Sequence, residues 1–344
     1  MKNRYLISKL LSLNNIKITH GYRLLISLII AFSLVNCSGP DVAEFVENPF
    51  PGERGDQLDM YARYDIWDHT DEGFLAEFPK VARNEVVAFA LYTHENGKLK
   101  ITAQMYPLKP TEVQEVRLEF NRDGKWKQEA TAPVIYPGWS AHFEIVNWDN
   151  TNDVPYRVLH GKEASFEGLI RKDPVDKEVI VVASLSCNSN QDRGDRNAIV
   201  EKLLKQDPDL LFFAGDQSYD HTEHTVAWLI WGKQFREVIK DRPVITIPDD
   251  HDVGQGNIWG ESGKVASSTA GSDGGYYYPP EYINMVQRCQ TWHLPDPVDP
   301  ATVKQNIGVY CTRLRVGEVD FAILEDRKFK SGPEGKIPQM GPRP

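Results

Sequence analysis

Side chains able to bind metal ions follow three short apolar runs of this sequence. The runs and the clusters behind them are residues 179–183 with Cys187, residues 210–213 with Asp216 and Tyr219, and residues 244–247 with Asp250, His251 and Asn257. Each run has the composition of a buried parallel strand, and the carboxyl ends of such strands meet at one edge of a sheet. We therefore expect these side chains to form one metal site.

The residue types indicate which ions this site would hold. The Asp216 carboxylate can bridge two cations, and the thiolate of Cys187 suits iron or zinc. A deprotonated Tyr219 phenol is a ligand for a hard trivalent ion such as Fe³⁺. The neutral amide oxygen of Asn257 suits Ca²⁺ or Mg²⁺. His251 can bind a metal or donate a proton to a charged oxygen.

Each cluster taken alone also has an ordinary structural explanation. Gly215-Asp216 is typical of a turn or helix cap, Cys187 of a small buried side chain, and the acidic residues 249–252 of a surface loop. Three carboxylates within four residues repel one another, however, unless water or cations neutralise them. The repetition of polar clusters behind three apolar runs favours the metal site.

A site with two or more cations is suited to hydrolysing phosphate esters, because the cations neutralise phosphoryl oxygens and activate water for in-line attack. The sequence contains neither the Gly-x-Ser-x-Gly motif of serine hydrolases nor the Gly-x4-Gly-Lys-Ser/Thr motif of P-loop proteins. Its formal net charge of −10 argues against a nucleic acid as the main partner. A small phosphorylated substrate remains compatible, since metal ions supply positive charge locally.

The elements that position these residues follow from the pattern of the second half. Helices are predicted at 195–205 and 225–240, each between two of the apolar runs. Strands that alternate with helices indicate βαβ units in a layered α/β domain. A hairpin at 309–316 and 319–324 would add strands to the same domain.

The region before this domain has the pattern of an antiparallel sandwich. Strand-like runs separated by turn residues occupy 86–92, 99–105, 113–120, 140–146 and 164–170. Short strands at this spacing are typical of immunoglobulin-like or fibronectin-like sandwiches. We expect this region to act as a spacer or shield.

Residues 1–37 have the pattern of an export signal. Basic residues precede an apolar run of 12 residues at 24–35, which is short for a membrane span of about 20 residues. The run ends at Cys37 in a sequence similar to a bacterial lipobox, although Asn36 stands where a small residue is usual. We expect an exported protein, with Cys37 as a lipid anchor, or else a conventional cleaved signal or an uncleaved anchor. Residues 38–75 are a tether and lead-in.

Three cysteines follow the export signal, namely Cys187, Cys289 and Cys311. The odd number leaves at least one thiol unpaired, and we expect that thiol to be Cys187. A disulfide between Cys289 and Cys311 is compatible with the count.

Together the clusters resemble the PhoD-like alkaline phosphatase branch of the metallophosphoesterases. The matching stretches are residues 183–188, 214–219 and 248–257, and residues 324–330 resemble the later Asp-x-Arg stretch of that family, with Glu325 in the acidic place. The resemblance spans residues 75 to 330. It implies an N-terminal β-sandwich at 76–172, followed by a metallophosphoesterase domain at 173–344.

The resemblance implies a phosphomonoesterase or phosphodiesterase that uses Fe³⁺ and Ca²⁺. It assigns metal binding to Cys187, Asp216, Tyr219 and Asn257, contact with the scissile phosphate to Asp250 and His251, and support of a phosphate oxygen to Arg327. The loop 257–275 and the aromatic run 276–280 would line the substrate mouth. Because the family has further His and Asp ligands beyond the matched region, 173–344 is expected to contain the N-terminal half of the domain, as in a truncated or fragmentary chain.

Two other functions fit the sequence. A non-catalytic surface lipoprotein would use the sandwich to bind a glycan or a partner. A phosphodiesterase acting on nucleotides or nucleic acids would use the same metal site.

Overall fold

The computed structural model describes residues 48–68, 81–188, 196–220, 222–253, 260–269 and 274–330. Within them the strands are β1 (Val87–Glu95), β2 (Lys98–Met105), β3 (Glu115–Arg122), β4 (Lys125–Pro133), β5 (Ser140–Val146), β6 (Val154–His160), β7 (Ala164–Ile170), β8 (Val182–Leu185), β9 (Leu210–Phe213), β10 (Val244–Thr246), β11 (Thr302–Lys304), β12 (Ile307–Gly308), β13 (Cys311–Val316) and β14 (Val319–Leu324). The α-helices are α1 (Asn197–Gln206), α2 (His224–Ile239) and α3 (Pro280–Thr291). The described chain is therefore rich in sheet and has few helices.

Strands β1 to β7 form two antiparallel sheets. Their strand orders are β1-β2-β5 and β4-β3-β6-β7. Side chains along β3 alternate between buried and more exposed positions, as expected for a sheet with one packed face. The buried Tyr156 ring contacts Tyr92 of the other sheet and Phe166 of its own, with ring centroids 6.3 and 6.4 Å apart. Aromatic side chains thus fill the space between the sheets.

The five strands predicted in this region are all present, and two further strands, β4 and β6, are not predicted. Most β4 side chains are exposed, because β4 is an edge strand, so its sequence lacks the apolar alternation of the others. β6 lies between β3 and β7 although it contains Pro155, which is paired with Leu169. Proline is rare in such central strands, so sequence patterns argue against a strand at this position.

Strands β8, β9 and β10 form a parallel sheet in the order β10-β9-β8. Helices α1 and α2 connect them, as the strand–helix alternation predicts. Trp228 and Trp231 of α2 contact Phe89 of β1, with ring centroids 5.5 and 5.8 Å apart, so α2 packs on the sandwich. The described residues from 48 onward belong to one compact unit. A domain boundary at residues 172 and 173 stays a prediction.

The prediction that residues 179–183 form a buried strand is wrong in part. The strand starts only at Val182, and the exposed fractions of Val179, Val181 and Val182 are 69%, 42% and 39%. Among the described elements β8 pairs with β9 alone. The apolar run therefore lies at the edge of the sheet and not within it.

The predicted hairpin is confirmed as β13 and β14. Leu314 and Ile323 of this hairpin join Leu210 and Ile245 of the parallel sheet in one hydrophobic cluster. The hairpin thus covers one face of the sheet whose ends carry the polar clusters. Helix α3 is not predicted from sequence patterns. It starts at Pro280, where proline is tolerated because the first helical N–H groups lack helical partners.

Residues 48–68, here called the strap, form short 3-10 turns against α2 and the sandwich. The Asp59 carboxylate accepts hydrogen bonds from the backbone N–H and the hydroxyl of Thr225, both at 2.7 Å. These groups lie in the first turn of α2, where backbone N–H groups lack helical partners. Trp139 Nε1 donates a hydrogen bond to the Ala62 carbonyl at 2.6 Å. The strap therefore caps a helix that it does not belong to.

The predicted signal at 1–37, including Cys37, lies outside the described residues. Within the part of the chain that the structure describes, no helix has the length and apolar character needed to cross a membrane.

All three cysteines after the signal are free thiols. The disulfide between Cys289 and Cys311 is therefore wrong, whereas the unpaired state of Cys187 is as expected. The Cys289 thiol is buried, with its sulfur 3.8 Å from the Met285 sulfur, so it fills space between α3 and the sandwich.

Candidate metal centre

Three of the predicted site residues come together at the carboxyl ends of β9 and β10. Asp216, Asp250 and His251 each offer one ligand atom, and these atoms lie within 4.8 Å of one another. Asp216 follows β9, while Asp250 and His251 follow β10, its parallel neighbour. The convergence follows from the strand order, because parallel neighbours end at the same edge.

Gly215 allows the loops after β9 and β10 to touch. Its φ is +90°, and a Cβ at this position would lie 2.5 Å from the Asp249 Cβ, closer than side chains can approach. Asp216 follows with a φ of +54°, a left-handed conformation that aspartate adopts more readily than most residues. The sharp turn thus places the Asp216 carboxylate beside the residues that follow β10.

The Asp252 carboxylate holds the two loops together. Its Oδ2 accepts a hydrogen bond from the Asp216 N–H at 2.8 Å and another from the Asp249 N–H at 2.9 Å. Asp252 is 3% exposed, so water does not compete for these bonds. A single buried oxygen therefore sets the spacing between the carboxylate behind β9 and those behind β10.

Arg327 forms ion pairs with two of the carboxylates behind β10. Its Nη2 is 2.9 Å from Asp250 Oδ1, and its Nε is 3.2 Å from Asp249 Oδ1. Arg327 follows β14, so the hairpin that covers the parallel sheet also delivers a cation to the site. The resemblance implies that Arg327 supports a phosphate oxygen, which stays a prediction, and its guanidinium lies within the same cluster.

Cys187 and Tyr219 both contact the Asp216 carboxylate. The Cys187 sulfur is 3.6 Å and the Tyr219 hydroxyl 3.2 Å from Asp216 Oδ2. The Tyr219 ring lies against His251, with ring centroids 4.1 Å apart. Burial, followed by the hydrogen bond with Cys187 and the charge of Asp216, raises the pKa of the Tyr219 hydroxyl above its usual range. The protonated phenol therefore donates to Asp216, and only a cation would make its phenolate favourable.

Three further expectations from the sequence concern residues around the site. Asn257, with much of the loop 257–275, lies outside the described residues. Tyr276 is 1% exposed, and its hydroxyl donates to the Lys328 carbonyl at 2.6 Å, so it packs in the interior and does not line a substrate mouth. Glu325 is buried in an ion pair with Lys328, with Nζ and Oε2 3.0 Å apart, and is structural.

The charges and hydrogen bonds at this site fit a bound cation. Four carboxylates form what we call the acidic cluster, namely Asp216, Asp249, Asp250 and Asp252. Among the described residues, Arg327 is the cation that forms ion pairs with the acidic cluster, so the cluster has an excess of negative charge. The buried Asp216 Oδ1 has no hydrogen-bond partner among the described residues, and a buried carboxylate oxygen without a partner is costly. A bound cation would satisfy this oxygen and offset the excess charge.

Two members of the acidic cluster, Asp249 and Asp252, hold protons more readily than ordinary carboxyl groups. Burial, then the neighbouring Asp250 charge, raises the pKa of Asp249 to about 7. Burial raises the pKa of Asp252 to about 8, more than the Asp249 N–H lowers it. A nearby cation favours the ionised form and would reverse these shifts. The cluster is thus unfavourable as a set of free carboxylates and suited to binding metal ions.

Sequence reasoning gives Gly215 the sharp turn before Asp216 but does not assign site roles to Asp249 or Asp252. The signal for Asp252 is present, since it stands among three aspartates in four residues behind an apolar run. Its hydrogen bonds to two loops depend on the separation of β9 and β10, which sequence spacing does not give.

Comparisons with known proteins find similarity in solved structures and not in family models or curated proteins. No family model and no curated protein matches the chain. A solved structure of PhoD is similar to it, with a TM-score of 0.57 and 15% sequence identity. The similarity covers 75% of this chain and 55% of the PhoD chain, so this chain spans about half the length of that structure. The chain therefore has a fold like that of PhoD.

Proposed function

We propose that the protein is an exported, metal-dependent phosphoric ester hydrolase of the PhoD-like kind, acting on small phosphate esters. The observation that carries the proposal is the convergence of Asp216, Asp250 and His251, with an unpartnered buried Asp216 oxygen among them. The PhoD-like fold supports the same reaction class. The sandwich would be a fibronectin-like spacer beside a metallophosphoesterase domain.

The resemblance to the PhoD-like family implies Fe³⁺ and Ca²⁺ as the ions, and the chemistry of the donors is compatible with both. Fe³⁺ would be held by Cys187, Tyr219 and Asp216, because thiolate and phenolate donors suit iron. Ca²⁺ would be held by carboxylate oxygens with Asn257, whose amide oxygen suits a hard cation. The contacts of Cys187 and Tyr219 with the same Asp216 oxygen support the first of these sets.

In the proposed reaction the protein positions the ester and moves protons. When bound, the cations neutralise phosphoryl oxygens and activate water. His251 lies beside the acidic cluster and would donate a proton or a hydrogen bond to an oxygen of the phosphate. Arg327 would turn one N–H toward another phosphate oxygen while Asp250 keeps its guanidinium in place.

Export and anchoring are part of the proposal and rest on residues 1–37. The basic segment and apolar run would direct the chain to the periplasm or cell envelope. Cys37 would then carry the lipid. Mass spectrometry of the mature N-terminus tests this step, and a chain that retains residues 1–36 without a lipid on Cys37 would contradict the anchor.

The experiment that tests the function combines metal analysis with ester hydrolysis. The protein and its Asp216→Asn variant would be assayed for bound metals and for turnover of p-nitrophenyl phosphate and bis-p-nitrophenyl phosphate at alkaline pH. Asp123→Asn is the matched control, because Asp123 also has a left-handed backbone, with a φ of +55°, but lies in the β3–β4 turn. Asparagine tolerates this conformation at both positions.

We expect Asp216→Asn to lose metal and turnover while Asp123→Asn keeps both. A native protein without metal and without turnover of either ester would overturn the proposal. It would favour the non-catalytic lipoprotein instead. A rate with the diester far above that with the monoester would assign a phosphodiesterase.

A further inference from the structure

A cavity of about 800 Å³ lies between the strap, α3 and the turn before β5. Most of its lining is apolar and comes from Phe50, Met285 and four prolines, one of which is Pro137. None of the lining residues belongs to the metal centre. Its volume is in the range of pockets that bind drug-sized molecules, which is roughly 300–1,000 Å³.

Arg288 places a positive charge on the wall of this cavity. Its Nη2 donates a hydrogen bond to the Pro137 carbonyl. Its Nε is shielded from solvent and has no hydrogen-bond partner among the described residues. A guanidinium can donate five hydrogen bonds, so Arg288 keeps unused donors in a largely apolar setting. Shielded donors without partners are costly in proteins.

No carboxylate within the described part of the chain forms an ion pair with Arg288. Glu281, the acidic residue of the lining, precedes Arg288 by seven residues on α3 and is exposed. Seven residues correspond to about 10 Å along a helix, so Glu281 lies about two turns from Arg288. The positive charge of Arg288 is therefore not paired with a carboxylate in the described part of the chain.

Two imidazoles and one thiol near Arg288 carry no charge. Burial, reinforced by the Arg288 charge, lowers the pKa of His142 and of His224 to about 3. Burial raises the pKa of the Cys289 thiol. These groups are neutral at ordinary pH, so the charged side chains of the lining are Arg288 and, two helical turns away, the exposed Glu281.

We propose that this cavity binds a small molecule with an apolar body and one anionic group, of the carboxylate or sulfonate class. The apolar body would lie against Phe50 and Met285, and the anionic group would accept hydrogen bonds from Arg288. A charge-assisted hydrogen bond in a shielded site gives the ligand its orientation. The site is separate from the metal centre and does not depend on the proposed hydrolase activity.

A pair of fluorescent probes tests the proposal on the full chain. The probe 8-anilinonaphthalene-1-sulfonate has an apolar body with one sulfonate, and N-phenyl-1-naphthylamine has almost the same body without charge. We expect one saturable site for the sulfonate. Arg288→Met should weaken sulfonate binding at least tenfold and change the binding of the neutral probe by less than threefold.

Arg117→Met is the matched control, because Arg117 also donates from Nη2 to a backbone carbonyl, that of Gly161, and lines no cavity described here. It should leave both probes unchanged. Phe50→Ala should weaken both probes, and circular dichroism would establish that each variant is folded.

Equal loss of both probes in Arg288→Met, or unchanged sulfonate binding in that variant, would overturn the proposal. Binding of the sulfonate at many sites without saturation would also overturn the proposal, because it would indicate adsorption to apolar surface.

Discussion

The sandwich and the candidate metal centre differ in how their charged side chains are paired. In the sandwich, Arg157 Nη2 lies 2.7 Å from Glu119, and this ion pair matches one positive with one negative charge. At the candidate metal centre, Arg327 forms ion pairs with two of the four carboxylates of the acidic cluster, and the buried Asp216 Oδ1 has no partner among the described residues. This pair in the sandwich is therefore balanced within the chain, whereas the centre has an excess of negative charge that a cation would offset.

This difference predicts where the protein is sensitive to change. Substitutions in the sandwich should alter the free energy of unfolding by ordinary amounts and leave metal content unchanged. Substitutions at the centre should alter both, because the spacing of the carboxylates and the binding of cations are coupled.

The largest effect is expected for Gly215→Ala. The new Cβ would collide with the Asp249 Cβ and would also strain a φ of +90°, so we expect a cost of roughly 3 kcal/mol or more and loss of bound metal. Gly124→Ala is the control, since its φ is +76° but a Cβ there meets nothing within 4 Å. It should cost about 1 kcal/mol. Urea unfolding and metal analysis measure both outcomes. Equal costs would contradict the close contact of the two loops.

The next effect concerns the oxygen that joins the loops. Asp252→Ala leaves the N–H groups of Asp216 and Asp249 without an acceptor, so we expect a loss of about 2 kcal/mol and a 10- to 100-fold weaker metal affinity. Asp252→Asn should restore most of the affinity, because an amide oxygen can accept the same hydrogen bonds. Metal titration of the two variants checks this, and failure of the asparagine to rescue would show that the charge of Asp252 matters more than its position.

A pH effect is expected at the contact between the strap and α2, away from the acidic cluster. Burial, followed by the Asp59 charge, raises the pKa of Glu223 to about 8. The folded protein keeps this proton above pH 4, while the unfolded chain releases it, so stability falls as pH rises from about 4 to 8. Glu223→Gln should reduce this pH-dependent loss of the free energy of unfolding by an amount on the order of 1–3 kcal/mol.

Unfolding experiments at pH 5 and pH 8 measure the difference. Glu237→Gln is the control, because Glu237 lies on the same helix in an exposed ion pair with Lys240. A pH dependence that is the same in both variants would rule out Glu223 as its source.

The smallest effect is expected in the sandwich. Glu119→Gln removes the partner of Arg157, and such partly exposed pairs contribute about 0–1 kcal/mol. Thermal unfolding should change by a few degrees at most, and metal content should not change. Loss of metal in this variant would mean that the two regions are more tightly coupled than their charge distribution indicates.

Sequence patterns predict most of the parallel sheet because its strands are local apolar runs between amphipathic helices. The run 210–213 coincides with β9, and the predicted helices differ from α1 and α2 by one or two residues at each end. Burial of the run 179–183 is not predictable in the same way. It depends on which strands lie beside β8, and that is a property of the whole sheet.

The site is predictable in its residue types and less so in its geometry. Asp216, Asp250 and His251 are identified from their positions behind apolar runs, since parallel strands end together. The hydrogen bonds of Asp252 and the contact of Gly215 with Asp249 are missed, because both depend on distances between loops. The capping of α2 by Asp59 joins residues 166 positions apart, and no local pattern indicates such a pair.

The order of synthesis gives this last contact a particular place in time. Asp59 is synthesised 166 residues before Thr225, so a growing chain that has not reached residue 225 does not contain this partner of its carboxylate. The hydrogen bond between Ala62 and Trp139 can form earlier, since Trp139 precedes α2 in the chain. The cap of α2 by Asp59 can therefore form only after β1 to β9 have been synthesised.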